Sequence, residues 1–572
     1  MQTKRCNRMW RKGIFNLMLL LCLAFFLLFF FLPILQVLRG GLTDSQGGLS
    51  LFYLKEVFLN PLYREGLFNS FLIAFCTTAL SLLLALPLAW LSQRYEFSGK
   101  RFLSSCLLLP MILAPFVGAL GMQCIFGRYG AFNVLLLRLG IISAGQETDW
   151  LAGGFAAVVL LEALHLFPIL YLNVVAALAN VDPSLLEAAA DYGCVGLKRF
   201  WRITLPLVMP GVFAGSTLVF IWSFTELGTP LMLNYGRTTA VQIFSGLNEL
   251  GSNPMPYALV ALMMLLSCAV YLLAKFGFGA QAHAMSSKAG QAARGQRLSG
   301  WRNLLVVAAF AAVILFSIMP HLGVLGMAFG KSWYRSILPE SLGLQHFQAA
   351  LSHSLTIPSI ANSMRYASLA LLLCLLLGVF IAYVVVRGKG KWTILLDACA
   401  MLPLAVPGLV LAFGYMALSQ KGHIFHRFDP VQNPTILLVI AYAVRRLPYI
   451  VRSAVAGLQQ TSLSFEEAAA SLGAGPFTAF RRITTPLIAA NLIAGSILAF
   501  SFSMLEVSDS LVLAHKAAFF PITKAIFELS MLLGQGPTLA SALGLWTMAF
   551  LGLSMLAASS LLGKRMGAIF RA

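Results

Sequence analysis

Long stretches of mostly apolar residues recur along the whole chain, separated by short polar segments. A helix needs about 20 apolar residues to cross the hydrocarbon core of a bilayer, and each stretch reaches that length. Only helices and closed barrels satisfy their backbone in lipid, and these stretches are too continuously apolar for barrel strands. We therefore predict an all-α membrane protein with about twelve transmembrane helices. They cover residues 14–38, 67–93, 102–126, 154–178, 208–234, 256–279, 302–328, 359–386, 394–418, 435–457, 489–514 and 537–562.

The longest polar stretch in each half of the chain carries the same motif, with every position offset by 280 residues. The two copies consist of Glu187, Ala188, Ala189, Gly193 and Pro206 in the first half, and of Glu467, Ala468, Ala469, Gly473 and Pro486 in the second half. Each half contains six predicted spans, and an even number places both halves the same way up in the membrane. The pattern therefore predicts two parallel six-helix repeats.

Local chemistry predicts a helix-turn-helix at each motif. Asp182 is a favourable N-cap and Pro183 suits the first helical position. Gly193 permits the positive φ that ends a helix, and Pro206 marks the return toward the membrane. The small alanines would let a partner approach closely. A hairpin without any partner is the alternative, but its duplication in register favours docking onto two copies of a soluble protein.

Charge predicts the orientation of the chain. The 572 residues are 59% hydrophobic and carry a net charge of +20, and about two thirds of the 40 lysines and arginines fall at one side of the predicted spans. Because basic residues mark cytoplasmic segments, we expect both termini and both motif copies in the cytoplasm. The basic residues are spread over seven segments, which argues against nucleic-acid binding. The nine cysteines show no metal-ligand spacing, so we expect no metal site and no cofactor.

The motif resembles a known signature. Glu-Ala-Ala, three residues, Gly, nine residues, Ile, one residue and Leu-Pro is similar to the signature of the inner-membrane permease subunits of binding-protein-dependent ABC importers. The first copy fits throughout, and the second has Thr485 in place of the usual Leu. The resemblance implies that the ten motif positions form coupling helices against two copies of an ABC ATPase subunit. It also implies a periplasmic substrate-binding protein and a place in the bacterial cytoplasmic (inner) membrane.

The resemblance divides the chain into two fused permease domains. We expect the first at 1–279 with its coupling loop at 179–207, a cytoplasmic linker at 280–300, and the second at 301–572 with its coupling loop at 458–488. No phosphate-binding loop is present, because the nearest approach, Gly330-Lys331-Ser332, has Leu325 where the first glycine belongs. The chain is therefore not expected to be an enzyme, and a separate subunit should hydrolyse ATP.

Two carboxylates fall inside the predicted spans at matched positions. Glu226 and Glu506 are also 280 residues apart, and an intramembrane carboxylate is a functional hypothesis by default. We predict that both line the translocation pathway; the alternative is that each caps a broken helix or pairs with a polar neighbour. The unpaired Glu162 is expected to be structural, and His165 to be a helix-packing residue. Arg445 and its neighbours are expected to snorkel to the interface.

The segment from Glu226 to Leu233 is most similar to the ferric iron group of these permeases, so the expected substrate is ferric iron. Thiamine, phosphonate or polyamine-type importers are the alternatives within the family. A different class is an ion-coupled secondary transporter with parallel halves, against which the doubled docking motif argues.

Overall fold

The computed structural model describes residues 2–43, 48–112, 114–282, 296–388 and 390–562, which are almost entirely helical. The helices of the first half are α1 (Gln2–Phe26), α2 (Leu32–Gly41), α3 (Phe52–Leu59), α4 (Pro61–Arg94), α5 (Lys100–Cys106), α6 (Pro115–Phe126), α7 (Ala131–Arg138), α8 (Phe155–Ala179), α9 (Pro183–Asp191), α10 (Gly196–Arg199), α11 (Leu205–Phe224), α12 (Gly228–Met232), α13 (Thr239–Ser245) and α14 (Met255–Ala282).

The second half repeats this order. Its helices are α15 (Gly300–Phe329), α16 (Gln345–Ser352), α17 (Thr356–Arg387), α18 (Lys391–Met401), α19 (Gly408–Leu418), α20 (Thr435–Gln460), α21 (Ser464–Ser471), α22 (Pro476–Ala479), α23 (Thr485–Met504), α24 (Ser508–Leu513), α25 (Ile522–Ser530) and α26 (Gly536–Leu562). The short strands Tyr95–Glu96 and Gln296–Arg297 pair in parallel.

Within the described ranges, ten helices are long and apolar enough to cross a membrane, and the bent pair formed by α18 and α19 raises the number to eleven. The 26-residue helix α20 is not among them because Arg445, Arg446 and Arg452 interrupt its apolar character. With α20 included, the all-α fold of about twelve spans is as predicted.

Four predicted spans are not continuous helices. The third breaks between α5 and α6, and the ninth bends by 99° between α18 and α19. Two closely spaced prolines lie at each break, Pro110 and Pro115 in the first half and Pro403 and Pro407 in the second. Each lacks an N–H donor and disfavours helical conformation in the residue before it. The fifth and eleventh predicted spans end early, at Phe224 and Met504, and short helices follow each break.

The first spanning helix of each half packs against the other half. α2 contacts α19, and α15 contacts α6. Both contacts are close because a glycine faces a proline-containing helix: a Cβ added to Gly121 would lie 2.7 Å from the Val324 nitrogen, and one added to Gly414 would lie 2.8 Å from Pro33 Cβ. Small residues permit such approach between membrane helices. The two halves are therefore interlocked, which places the ends of α11 and α23 near one another between them.

The predicted linker is only partly described. Residues 283–295 of the expected 280–300 linker lie outside the described residues, as do residues 563–572 at the end of the second expected domain. Residues 296 and 297 form the strand that pairs with Tyr95 and Glu96, and Leu298 N–H donates to Glu96 O at 2.9 Å. The end of the linker is thus tied to the loop that follows α4.

Candidate translocation cavity and coupling loops

The first coupling loop forms the expected helix-turn-helix. Asp182 caps α9 by accepting from the Ser184 N–H at 2.9 Å, and Gly193 ends the turn with φ at +72°. The Cys194 N–H then donates to Ala189 O at 2.8 Å, which satisfies a carbonyl at the helix end. A π-helical segment, Phe200–Thr204, leads into α11, whose first turn contains Pro206.

The second coupling loop repeats this geometry. α21 ends before Gly473, whose φ is +85°, and the Ala474 N–H donates to Ala469 O at 2.9 Å. The π-helical segment Phe480–Thr484 leads into α23, whose first turn contains Pro486. The two loops therefore share one backbone conformation, with a positive-φ glycine at the same repeat position.

The predicted contact residues divide into outward and inward positions. Glu187, Ala188, Glu467 and Ala468 are exposed, whereas the third motif residue in each copy, Ala189 or Ala469, is buried. The first two motif positions are therefore accessible to a partner, and the third is not.

Large apolar side chains surround both motifs, and these were not predicted from the sequence. Tyr192 and its repeat equivalent Leu472 are 92% and 90% exposed. The same register relates two further exposed pairs: Leu185 with Phe465, and Leu197 with Phe477. Because the same positions are exposed in both loops, these side chains are candidates for contact with a partner. The repeat offset was the signal that could have identified them.

The two loops differ in how they attach to the spans. Glu466 is buried beneath the second loop, where its carboxylate accepts from Arg387 Nε and from the Tyr383 hydroxyl, each at 3.2 Å. Leu186 occupies this position in the first loop, and there only its carbonyl is bound, by Arg199 Nη1 at 3.1 Å. A buried ion pair therefore links α21 to α17, with no counterpart between α9 and α4 among the described residues.

A cavity of about 160 Å³ lies between the two halves, beside the breaks that follow α11 and α23. Both predicted pathway carboxylates, Glu226 and Glu506, line it. Three further polar groups that the sequence analysis assigned to packing or to the interface also line it, namely Glu162, His165 and the Arg445–Arg446 pair.

Glu506 is held by arginines. Its two carboxylate oxygens form ion pairs with Arg445 and Arg446. Arg445 Nη1 also lies 3.3 Å from an oxygen of Asp509, and Arg446 Nη2 donates to Phe502 O at 2.9 Å. These two arginines therefore do not snorkel to the interface as expected, because buried carboxylates on α24 and at the break before it compensate their charge inside the membrane.

Arg452, by contrast, lies nearer the end of α20 and its side chain is 56% exposed. Its closest carboxylate is Asp397, at 3.8 Å. This pair sits outside the cavity lining.

Glu226 has no basic partner among the described residues. Its Oε1 accepts from the N–H groups of Gly228 and Thr229, at 3.2 and 3.3 Å, and so caps the short helix α12. This contact corresponds to the capping alternative considered from the sequence. It leaves the carboxylate half-buried at the cavity wall.

Glu162 lies deeper, on α8, and is 2% exposed. One of its carboxylate oxygens accepts a hydrogen bond from the Ser223 hydroxyl, and the carboxylate also adjoins the buried Thr77 hydroxyl. His165, one turn further along α8, is fixed by a contact of 2.9 Å between Nδ1 and Pro110 O. The part of the chain that the structure describes contains no group of three or more His, Cys, Asp or Glu placed to hold a metal ion.

Comparison with known proteins assigns both halves to one family. Residues 80–277 and 375–566 each match the family described as "Binding-protein-dependent transport system inner membrane component". The two matches cover more than half of the chain and include both coupling loops and all cavity-lining helices named above.

The sequence identity to the individual relatives below is less than 30%. The chain is 26% identical to a putative ferric transport system permease protein of Haemophilus influenzae over 509 residues, 86% of this chain and 76% of the relative. It is 26% identical to a ferric transport system permease protein of Actinobacillus pleuropneumoniae over 468 residues, 80% of this chain and 64% of the relative. A spermidine/putrescine transport system permease protein of Escherichia coli is 28% identical over 209 residues, 36% of this chain and 75% of the relative. The chain therefore belongs to the family of binding-protein-dependent transport system inner membrane components, and it carries the domain of that family twice.

Proposed function

We propose that this chain is the membrane permease of an ATP-driven importer for ferric iron. A periplasmic binding protein would deliver the substrate to the outer side, and two copies of a separate ATPase subunit would bind the coupling loops. The chain itself would contribute the pathway and no hydrolytic site. In this proposal 1–279 and 301–572 are the two permease domains, and both termini lie in the cytoplasm.

The observation that carries the proposal is the duplicated coupling surface. Two loops with the same positive-φ glycine expose the same glutamate, alanine and large apolar positions in one register. A chain whose two loops are alike suits two identical partners. A secondary transporter would need neither loop.

The substrate is proposed from the cavity and from the named relatives. Carboxylate oxygens are the ligands that hard cations prefer, and Glu162, Glu226 and Glu506 line the cavity. The relatives matched over most of the chain are named ferric transport permeases. A polyamine is the second candidate, because Trp222, Tyr449 and Phe502 also line the cavity, aromatic faces attract organic cations, and a spermidine/putrescine permease matches part of the chain.

Docking can be tested by distorting the loops without touching the spans. Valine is strongly disfavoured at positive φ, so Gly193→Val and Gly473→Val should reduce recovery of the cognate ATPase with the tagged permease, while membrane insertion is retained. Gly140→Val is the matched control, because Gly140 has a similar φ of +69°, also has open space around it, and lies in a different loop. Normal ATPase recovery and normal transport in both loop variants would refute the docking proposal.

The substrate candidates are separated by uptake. Cells that express the complete transporter should accumulate radiolabelled ferric iron, with no competition by excess spermidine. Spermidine uptake that depends on this chain, without iron uptake, would replace the first candidate with the second.

A further inference from the structure

The two halves match at Glu226 and Glu506 but differ in what neutralises these carboxylates. Arg445 and Arg446 bind both oxygens of Glu506. The repeat positions of these two arginines in the first half are His165 and Leu166. Glu226 accordingly accepts only two backbone N–H groups and a threonine hydroxyl, with no cationic partner among the described residues.

Glu162 adds a second difference in charge between the two halves. Its repeat position in the second half is Tyr442, whose hydroxyl is bound to Ser510 at 2.7 Å. The first half thus adds a carboxylate where the second half has a neutral phenol. Glu162 lies between the hydroxyls of Ser223 and Thr77, with no cationic partner among the described residues, and it lines the cavity.

A buried carboxylate without a cationic partner is costly, so a cation in the cavity would compensate the charge of Glu162. The cavity volume of about 160 Å³ leaves room for a small cation with some of its water. Because the described residues include no set of three metal ligands, an ion here would keep other ligands and bind weakly. Weak binding is what passage requires, since a tightly held ion would not leave.

We propose that Glu162 and Glu226, both from the first half, are the carboxylates that receive a hard multivalent cation as it crosses the cavity. Glu506, in contrast, is committed to the arginines and maintains the cavity wall. This inference rests on the proposed function, because it assumes that a cation passes between the halves. It assigns different roles to the two repeats: the first half binds the cation, and the second half maintains the cavity wall.

The test uses Tb³⁺ as a hard trivalent probe, with the permease and its ATPase in lipid nanodiscs. Trp222 lines the same cavity, and an excited indole sensitises Tb³⁺ luminescence only at short range. Wild-type complex should give sensitised luminescence that Ga³⁺ displaces. Because the chain contains nine tryptophans, Trp222→Phe identifies the signal that arises in the cavity.

Glu162→Gln and Glu226→Gln should each weaken Tb³⁺ binding by roughly 10-fold or more, a scale on which even outer-shell partners affect metal affinity. Asp397→Asn is the matched control, a carboxylate on a spanning helix outside the cavity lining. The double variant Glu506→Gln with Arg446→Met conserves the net charge of the cavity and should keep the signal. Unchanged binding in both first-half variants, or equal loss in the double variant, would overturn the assignment.

Uptake distinguishes this assignment from the proposed function. Ferric iron uptake by wild-type transporter combined with normal Tb³⁺ binding in both first-half variants would overturn the assignment alone. Absence of ferric iron uptake by the wild-type transporter would instead overturn the proposed substrate.

Discussion

Glu506→Gln should destabilise the protein far more than Glu226→Gln, although the two glutamates occupy equivalent repeat positions. Glu506 is 5% exposed and forms ion pairs with two arginines. Removing one partner of a buried ion pair costs about 3–5 kcal/mol, because the other charge is left uncompensated. Asp509 still faces Arg445 at 3.3 Å in this variant, so Arg446 is the group that loses its carboxylate.

Glu226→Gln should cost much less. A glutamine oxygen can accept the same N–H groups of Gly228 and Thr229, so only the attraction between a charge and the helix N-terminus is lost, about 0.3–1 kcal/mol. The two variants should therefore differ by about 3 kcal/mol, which corresponds to about a hundredfold in an equilibrium constant.

The assay is the half-life of monodisperse permease in detergent at a fixed elevated temperature, followed by size-exclusion chromatography, because membrane proteins commonly unfold irreversibly. Glu506→Gln should shorten the half-life strongly and Glu226→Gln only slightly. Adding Arg446→Met to Glu506→Gln should restore much of it, because the second substitution removes the arginine charge that Glu506→Gln leaves uncompensated. Wild-type half-life in Glu506→Gln, or no recovery in the double variant, would refute the reasoning.

Three further predictions concern the coupling loops and the contact between the halves. Tyr192→Ser and Leu472→Ser should each weaken ATPase binding about tenfold or more in a pull-down titration, because burial of a large apolar side chain contributes about 1.5–3 kcal/mol. Wild-type affinity in both variants would show that these residues do not enter the interface. Arg387→Met should reduce ATPase stimulation by loaded binding protein, because it leaves the buried Glu466 without a cationic partner. Adding Glu466→Met should recover stimulation, and a double variant as impaired as the single would exclude the ion pair as the cause. Gly121→Leu should lower the yield of folded protein, because overpacking costs about 1–3 kcal/mol. Gly552→Leu is the control, because there is open space around Gly552. Equal yields of the two variants would contradict the close contact.

The architecture could be predicted because membrane physics leaves few alternatives. Long apolar stretches had to be helices, and the 280-residue offset predicted the parallel repeat and a helix-turn-helix at each motif. The helix breaks were harder to locate, because continuous hydrophobicity hides them. Pro110 and Pro403 were visible as helix breakers, but an apolar stretch of normal length led us to predict unbroken spans.

The charges in the cavity could not be assigned from the sequence in the same way. Arg446 looked like a snorkelling residue because its distance from the helix end suited that behaviour, and nothing along the chain linked it to Glu506, 60 residues away. Glu162 was discounted because its repeat position is not acidic. Contacts between helices determine the surroundings of both residues, and the sequence does not show these contacts. The repeat pattern identifies only the residues that the two halves share. The charges of the cavity depend on the positions at which the halves differ.

The most direct test of the central claim is transport by the reconstituted complex. The permease, its ATPase and its ferric-loaded binding protein should be combined in proteoliposomes with radiolabelled ferric iron, with ATP present on the side of the coupling loops. We predict iron accumulation that requires ATP, the binding protein and the ATPase subunit together, and that stops when Gly193→Val and Gly473→Val are combined. Accumulation by the permease alone, driven by an ion gradient without ATP, would contradict the account.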